Sequence, residues 1–415
     1  MKLLYNFSIF LFQLSIRVVS VFGNQKARKW IDGRKNLFSN IQKFLKPGED
    51  RVWFHCASLG EFEQGRPVME KFKMRNSKCK IVLTFFSPSG YEVRKNYEGA
   101  DYVFFLPMDT SCNAEKFISL INPSKVFFVK YEFWYHYLNT LKTKNIPVFL
   151  ISAIFRPQQL FFKWYGSFFR SVLRLFTHIY LQDTRSADLL NSIGITNHTV
   201  AGDTRFDRVV EAAAGVAPIA LIEKFKGDNQ LMIAGSTWKE DEQIIHSFVR
   251  HLRYHTSSLK LIVAPHEING QRIEFLLELF KKNKTVRFSM ANAQTISSFD
   301  VLIIDNMGML SSVYQYGDFG YIGGGFGKGI HNILEAAVFG MPVFFGPNHN
   351  KFAESVDLIK SKGAFSIRSE NELLTALMLL MNDESKWKMA SLATKKYTEE
   401  KKGATEIIMK MISES

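Results

Sequence analysis

The stretch that decides the fold is residues 317–351, GDFGYIGGGFGKGIHNILEAAVFGMPVFFGPNHNK. Residues 319–322 form a short apolar run that stops at Gly323, as a buried parallel strand does. Glycines at 323, 324, 325, 327 and 329 then leave backbone N–H groups free to approach a ligand. From His331 the apolar spacing becomes helical, and Gly340 ends the predicted helix. A strand, a glycine loop and a helix start in this order predict an anion site, because the free amides and the helix dipole point into the loop.

Two common phosphate motifs do not fit this loop. The dinucleotide pattern G-x-G-x-x-G ends on Lys328 or Ile330 instead of glycine, and Ile322 occupies the first glycine position of a P-loop. Asn332 and Glu335 lie three residues apart and would share a helical face. A carboxylate there can accept hydrogen bonds from the two hydroxyls of a ribose, while the backbone amides of the loop bind a phosphate. The alternative is a glycine-rich turn in which Asn332 caps the helix.

Composition predicts a globular protein with an anionic partner. A chain of 415 residues with 46% hydrophobic and 22% charged residues is typical of two domains with a large core. The net charge of +14 implies nucleic acid, anionic lipid or a phosphorylated substrate. The 38 phenylalanines among basic residues fit a membrane surface at least as well as nucleic acid. The three cysteines show no metal-binding spacing, which favours a reducing compartment.

Residues 1–23 are mostly apolar but carry a polar helical stripe, formed by Lys2, Asn6, Gln13, Arg17 and Ser20 and continued by Asn24. A helix with such a stripe is expected to lie at the membrane interface and not to span the bilayer. A secretory signal is the rival interpretation, but no small-residue cleavage site follows. The basic residues after it predict that the chain stays in the cytoplasm.

Strand and helix patterns alternate through both halves of the chain, which predicts two doubly wound α/β domains. The pattern weakens over residues 211–229, so we place the domain boundary there. The predicted segments are residues 1–25, 26–215 and 216–415. Ligands of such sheets lie beyond the carboxyl ends of the strands. The residues predicted at these ends are Glu61, Ser87, Glu132, Arg205, Gly235, Pro265 and Gly323.

Three of these residues are candidates for chemistry, and each has a structural alternative. Glu61 is a candidate base, but Ser58 and Glu61 also fit a capping box. Glu132 lies among aromatic residues, where a carboxylate is either paired or has a shifted pKa. For Arg205 the alternative is an ion pair with Asp207 or a surface charge. The basic aromatic residues 155–176 are either a core element or, as we prefer, a lipid-facing surface.

Taken together, the chain resembles the 3-deoxy-D-manno-octulosonic acid (Kdo) transferases of Gram-negative bacteria. Each matching segment is weak alone, but eight in the same order are specific: WFHCASLGEFEQGRPV (53–68), TFFSPSGYE (84–92), KYEFWYHYL (130–138), ISAIFR (151–156), GDTRFDRV (202–209), AGSTWKEDE (234–242), APHEI (264–268) and GGGFGKGIHNILEAA (323–337).

The resemblance implies a GT-B fold, in which two Rossmann-like domains face a cleft, with a membrane-associated helix at residues 1–25. It assigns acceptor binding to residues 26–215 and the CMP-sugar to residues 216–415. By position in the motifs, Glu61 corresponds to the general base, and Glu132 and Arg205 correspond to residues that stabilise the transition state. The CMP-binding positions are Pro265, His266, Gly308, Met309, Leu310, Asn332, Ile333, Leu334 and Glu335, with Gly325, Gly327 and Gly329 as the phosphate loop. Many members have Gly-Glu-Leu where this chain has Gly308, Met309 and Leu310, which leaves a side-chain contact there in doubt.

The implied reaction is an inverting transfer of Kdo from CMP-Kdo to a hydroxyl of a lipid A precursor, lipid IVA, at the cytoplasmic face of the inner membrane. The implied partners are this precursor and an anionic membrane surface, and no nucleic acid. No Asp-x-Asp motif lies near the loop, so we expect no metal and no cofactor beyond the donor. The alternative is another membrane-associated GT-B glycosyltransferase that uses a different nucleotide sugar.

Overall fold

The structure, a computed structural model, describes residues 1–255 and 259–413. The chain forms two compact units, of which the first contains Met1–Arg208 together with the segment from Lys402, and the second contains Val209–Lys401. Each unit has its own parallel sheet of seven strands flanked by helices. The predicted α/β class with two doubly wound domains is therefore confirmed.

The sheet of the first unit has the strand order β3-β2-β1-β4-β5-β6-β7. Its strands are β1 (Arg51–Cys56), β2 (Lys80–Phe85), β3 (Tyr102–Phe105), β4 (Pro123–Val129), β5 (Val148–Ala153), β6 (His178–Leu181) and β7 (His198–Val200). Its helices are α1 (Lys2–Val21), α2 (Gln25–Asp32), α3 (Leu37–Phe44), α4 (Leu59–Arg75), α5 (Pro88–Arg94), α6 (Ser111–Ile121), α7 (Tyr135–Thr143), α8 (Ser167–Leu173), α9 (Thr184–Ser192) and α10 (Thr204–Ala214).

The sheet of the second unit has the order β10-β11-β9-β8-β12-β13-β14. Its strands are β8 (Gln230–Thr237), β9 (Leu259–Pro265), β10 (Thr285–Arg287), β11 (Val301–Ile303), β12 (Phe319–Ile322), β13 (Val343–Phe345) and β14 (Ala364–Ser366). The helices that follow α10 are α11 (Ala220–Lys226), α12 (Lys239–His255), α13 (Gly270–Leu279), α14 (Leu310–Val313), α15 (Leu334–Ala337), α16 (Ala353–Lys360), α17 (Glu370–Asn382), α18 (Glu384–Glu400) and α19 (Ala404–Ser413).

The strands β1 and β8 are buried on both faces of their sheets, as is typical of near-continuous apolar runs. All six residues of β1 are buried, and so are Leu231–Gly235 in β8. Two aromatic cores fill the first unit, with Trp53 against Phe128 on one face of the sheet and Phe54 stacked on Phe127 at 4.5 Å on the other. This rigid frame fixes where the loops at the strand ends begin.

Two sequence predictions in the second unit need correction. The helix predicted from His331 begins at Leu334 and has four residues, because residues 323–332 form turns closed by their own amides. The short edge strand β10 was not predicted from the sequence. In the first unit, the predicted lipid-facing stretch 155–176 is divided between core and surface: Phe155, Phe161 and Phe176 are buried, whereas Leu160, Trp164 and Tyr165 are exposed.

The helix α1 is long and apolar enough to cross a membrane, by length and composition. Its outward face exposes Leu3, Leu4, Phe7, Phe10, Leu14 and Val18, whereas Ile9 is buried against the first unit. The predicted N-terminal helix is thus present, with one side packed on protein.

Candidate active site

The first cluster of predicted residues lies at the carboxyl edge of the first sheet, where the neighbouring strands β1 and β4 end. Glu61 is half-buried in the first turn of α4. Its carboxylate accepts a hydrogen bond from the Ser58 hydroxyl, and the Ser58 side chain makes no capping bond to the helix amides. The arrangement differs from a reciprocal capping box, in which Glu61 would accept from the Ser58 amide.

Glu132 is buried in the loop after β4, and neighbouring side chains hold its carboxylate in place. Its Oε2 lies 2.9 Å from Nε2 of His55 and accepts from the Trp134 indole N–H at 2.5 Å. The other ring nitrogen of His55 lies 2.8 Å from the Thr84 hydroxyl. His55 was not predicted from the sequence, although a histidine within an apolar strand indicates a buried polar partner.

Arg205 lies at the start of α10, and its partner differs from the one considered in the sequence. Its guanidinium donates to Asp203 at 2.7 and 2.9 Å. Asp207 instead accepts from the amide and hydroxyl of Thr405, both at 2.7 Å, and so anchors α19. The structure thus shows an ion pair of Arg205 with Asp203, two residues before it.

The charges of these residues act on the same neighbours, so the structure brings them together. The pKa of the Cys56 thiol is raised by burial first, and then by the negative charges of Glu61 and Glu132. Burial lowers the pKa of Lys130; the charge of Arg205 lowers it further, and Glu61 opposes the shift. One edge of the first sheet thus combines two carboxylates with cationic groups.

The second cluster lies at the carboxyl edge of the second sheet, where the adjacent strands β9, β8 and β12 end. Three rings stack there. His266 lies 4.8 Å from Trp238 and 4.2 Å from His331, with interplanar angles of 28° and 22°. Sequence analysis predicted His266 at this site but missed the roles of Trp238 and His331.

His331 is held as a neutral ring. Its Nε2 accepts from the Trp238 indole N–H at 2.9 Å, so the proton of the neutral ring lies on Nδ1. Burial and the adjacent His266 lower the pKa of His331 to about 4. The ring can therefore donate through Nδ1 throughout the physiological pH range.

The glycine loop between β12 and α15 is shaped by Asp241. This buried carboxylate accepts from the Gly324 amide, the Trp238 amide and the Tyr321 hydroxyl, each at 2.9 Å. Gly323 packs so closely on the end of β8 that a Cβ atom would lie 2.2 Å from the Ser236 carbonyl oxygen. These contacts require glycine and fix the path of the loop.

The three predicted phosphate-loop glycines differ in what their amides do. The amides of Gly327 and Gly329 both donate to the Gly324 carbonyl, at 3.0 and 3.2 Å. Within residues 1–255 and 259–413, the amides of Gly325, Phe326 and Lys328 donate no hydrogen bond. These three amides are therefore available as donors to an anion.

The remaining predicted CMP-binding residues lie on neighbouring elements of the second unit. Asn332 donates to Glu335 at 2.9 Å, and its side-chain oxygen accepts from the Leu334 amide. The other positions comprise Pro265 at the end of β9, Gly308 with a φ of 84°, Met309 and Leu310 at the start of α14, and the buried Ile333. In the described part of the chain, no three His, Cys, Asp or Glu side chains come together as a metal site.

Comparison with known proteins agrees with the motif series. Residues 32–208 match the family model of 3-deoxy-D-manno-octulosonic-acid transferase (kdotransferase). The chain is 27% identical over 342 residues to the 3-deoxy-D-manno-octulosonic acid transferase of Aquifex aeolicus, covering 81% of this chain and 88% of the relative. It is 25% identical over 371 residues to the enzyme of the same name from Chlamydia trachomatis serovar A, covering 86% and 84%.

A solved structure supports the fold assignment. The UDP-GlcNAc 2-epimerase from Neisseria meningitidis superposes with a TM-score of 0.62 at 16% identity, covering 88% of this chain and all of that chain. The predicted resemblance to Kdo transferases and the predicted GT-B class are thereby confirmed, and the comparisons support a Kdo glycosyltransferase.

Proposed function

We propose that this chain transfers Kdo from CMP-Kdo to a hydroxyl of a lipid A precursor, lipid IVA, with inversion at the anomeric carbon. The observation that carries the proposal is the contrast between two carboxylates at one sheet edge. Glu132 is buried and bound by two ring N–H groups, whereas Glu61 is half-buried and receives the Ser58 hydroxyl. Carboxylates in such different settings suit different roles.

In the proposed mechanism, Glu61 is the general base. A sugar hydroxyl is a poor nucleophile at neutral pH, so a base must remove its proton as the oxygen attacks the anomeric carbon of Kdo. The new C–O bond forms as the bond from Kdo to the CMP phosphate breaks, and the proton passes to Glu61. Glu132 places negative charge near the reacting sugar, where positive charge develops, and Arg205, which Asp203 holds in position, supplies positive charge opposite an anionic oxygen.

We assign CMP binding to the second unit. The amides of Gly325, Phe326 and Lys328 are suited to phosphate oxygens, and His331 can add a donor from Nδ1. Glu335, which Asn332 orients, is placed to accept from the ribose hydroxyls. These donors take up the charge of the leaving phosphate, so we expect transfer without a metal ion. We further place the protein at the cytoplasmic face of the inner membrane, with α1 at the lipid interface.

The test is transfer by the purified full-length protein in detergent, with CMP-Kdo and tetra-acylated lipid IVA, followed by mass spectrometry of the lipid. We expect a mass increase of one or more Kdo residues, and the same product with excess EDTA. A UDP-sugar in place of CMP-Kdo is the matched donor control. Transfer from the UDP-sugar and none from CMP-Kdo would establish the alternative glycosyltransferase and refute the proposal.

A further inference from the structure

The helix α1 has an inner face whose contacts are polar and specific, beyond what a lipid anchor requires. We define the inner face by the four residues that contact the rest of the first unit, Tyr5, Asn6, Ile9 and Phe12, which recur at helical spacing; Ile9 is buried, Tyr5 is half-buried, and Asn6 and Phe12 lie at the edge of the face and keep solvent exposure. Ile9 is buried, and the other three contact residues of the first unit. Each of these contacts leads to the segment that carries Glu132.

The first connection runs through Tyr5 and Asp109. The Tyr5 hydroxyl donates to the buried carboxylate of Asp109 at 2.5 Å and accepts from the amide of Tyr135 at 3.2 Å. Asp109 also accepts from the amides of His136 and Tyr137, at 3.1 and 3.0 Å. Tyr5 and Asp109 together therefore bind three successive amides at the start of α7, three to five residues after Glu132.

The second connection runs through aromatic rings. Phe12 lies 5.9 Å from Phe86, and Phe86 lies 4.8 Å from Trp134. The indole N–H of Trp134 donates to the carboxylate of Glu132 at 2.5 Å. A side chain of α1 is thus two ring contacts away from a direct hydrogen-bond donor of Glu132.

The segment between these contacts has no regular structure of its own. Residues 130–134 join β4 to α7 without a helix or strand, and Lys130 takes a left-handed conformation with a φ of 67°. Such a loop is held by its contacts. On the sheet side, His55 binds Glu132. On the other side, α1 supplies the contacts to Trp134 and to the start of α7.

We infer that the inner face of α1 is part of the acceptor unit's active site, with Tyr5 and Phe12 acting as positioning residues for Glu132. The inference rests on the catalytic role proposed for Glu132. It gives α1 two separable functions: the outward face meets lipid, and the inward face orders the loop from Lys130 to Trp134.

The experiment compares Tyr5→Phe with Ser15→Ala in the full-length protein, in detergent with saturating acceptor, so that membrane attachment does not limit the rate. Both changes remove one hydroxyl from α1, but the Ser15 hydroxyl donates only to the Phe12 carbonyl of its own helix. We expect Tyr5→Phe to lower kcat about tenfold, with KM for CMP-Kdo unchanged, since misplacement of a reacting group can cost up to about 10²-fold. Ser15→Ala should leave kcat unchanged.

A double-mutant cycle separates positioning from a general loss of structure. In a Glu132→Gln background, Tyr5→Phe should have little further effect, because the group that it positions is already disabled. Phe12→Leu is the second variant and should behave like Tyr5→Phe. Wild-type kcat in both variants, or an equal further loss in the Glu132→Gln background, would overturn the inference. If Glu132→Gln alone keeps full kcat, the proposed role of Glu132 fails first, and the two failures are thereby distinguished.

Discussion

At the scale of single residues, the two glutamates at the first sheet edge are distinguished by their donors. The carboxylate of Glu132 already accepts hydrogen bonds from two rings, His55 and Trp134, which hold it in one position. Glu61 keeps more exposure and one hydroxyl donor. The geometry therefore favours Glu61 as the residue that exchanges protons with the acceptor.

Glu61→Gln should abolish most turnover without unfolding the protein. The amide keeps the shape of the side chain but cannot accept a proton, so we expect a loss of about 10²–10⁴-fold in kcat, the usual contribution of a general base. The matched control is Glu70→Gln on the same helix, where the carboxylate binds Arg66 and Tyr97 away from the sheet edge. Near wild-type kcat in a stable Glu61→Gln variant would move the base to another residue, with Glu132 next.

His331 should remain neutral well below its usual titration range. Its pKa is lowered to about 4, first by burial and then by His266. A depressed pKa in the folded state means that the unfolded chain binds the proton first, so His331 favours folding at neutral pH and this contribution is lost as the pH falls from about 6.5 to 4. An NMR titration of the ring protons checks this. A midpoint near 6.5 would contradict the buried, stacked geometry.

At the scale of elements, the sequence predicts a strand correctly where the apolar run of residues stops at the position where the strand ends. The strand β12 lies at the predicted residues 319–322, and its loop begins at Gly323 as predicted. The helix start predicted at His331 was wrong because the carbonyls of Gly323 and Gly324 accept hydrogen bonds from the amides of Gly327, Gly329 and His331, which close the loop on itself. β10 has three half-buried residues at a sheet edge, too few to give a pattern.

The residues of the candidate sites likewise fall into two groups, those that the sequence predicted and those that it did not. Glu61 and Glu132 were predicted because they stand at strand ends, and His266 was predicted through the resemblance. The partners that orient them, such as His55 and Trp238, depend on which strands are neighbours and how rings stack, and this information is absent from local sequence. The boundary of the donor loop likewise depends on Asp241, which lies more than 80 residues before it.

Asp241→Ala should loosen the glycine loop. The change leaves the amides of Gly324 and Trp238 and the Tyr321 hydroxyl without their acceptor, and each buried unpaired donor costs about 1–3 kcal/mol before relaxation. We expect both a lower unfolding free energy and weaker CMP binding in calorimetry. Glu240→Ala, one position earlier and exposed, is the control. Unchanged CMP affinity in a destabilised Asp241→Ala protein would show that the loop does not form the donor site.

At the scale of the whole molecule, a strong positive net charge is combined with an exposed apolar helix face. The net charge of +14 suits the anionic lipid and the phosphorylated acceptor of the proposed reaction. Exposed apolar side chains line the outward face of α1, and Leu160, Trp164 and Tyr165 add exposed apolar surface near the buried Phe161. The proposed membrane association rests on α1, and these three residues form a second exposed apolar surface of the first unit.

The last helix, α19, belongs to the first unit, which also contains the start of the chain. This organisation leads to a final prediction. The sequence pattern gave no reason to separate the last residues from the second domain, yet α19 packs on α4 of the first unit and buries Ile408, Met409 and Ile412 there. Asp207 also binds the start of α19 through Thr405. Deleting residues 402–415 should therefore destabilise the first unit and spare the second.

The expected loss is large because each buried apolar side chain contributes about 1.5–3 kcal/mol. Hydrogen exchange measures it locally: amides of β1 and β4 should exchange faster in the truncated protein, while those of β8 and β9 should be unchanged. Glu406→Gln is the control, since it breaks only exposed ion pairs to Lys71 and Arg75, at 2.6 Å each, and such pairs are worth about 0–1 kcal/mol. Faster exchange confined to β8 and β9 would mean that α19 belongs, energetically, to the second unit.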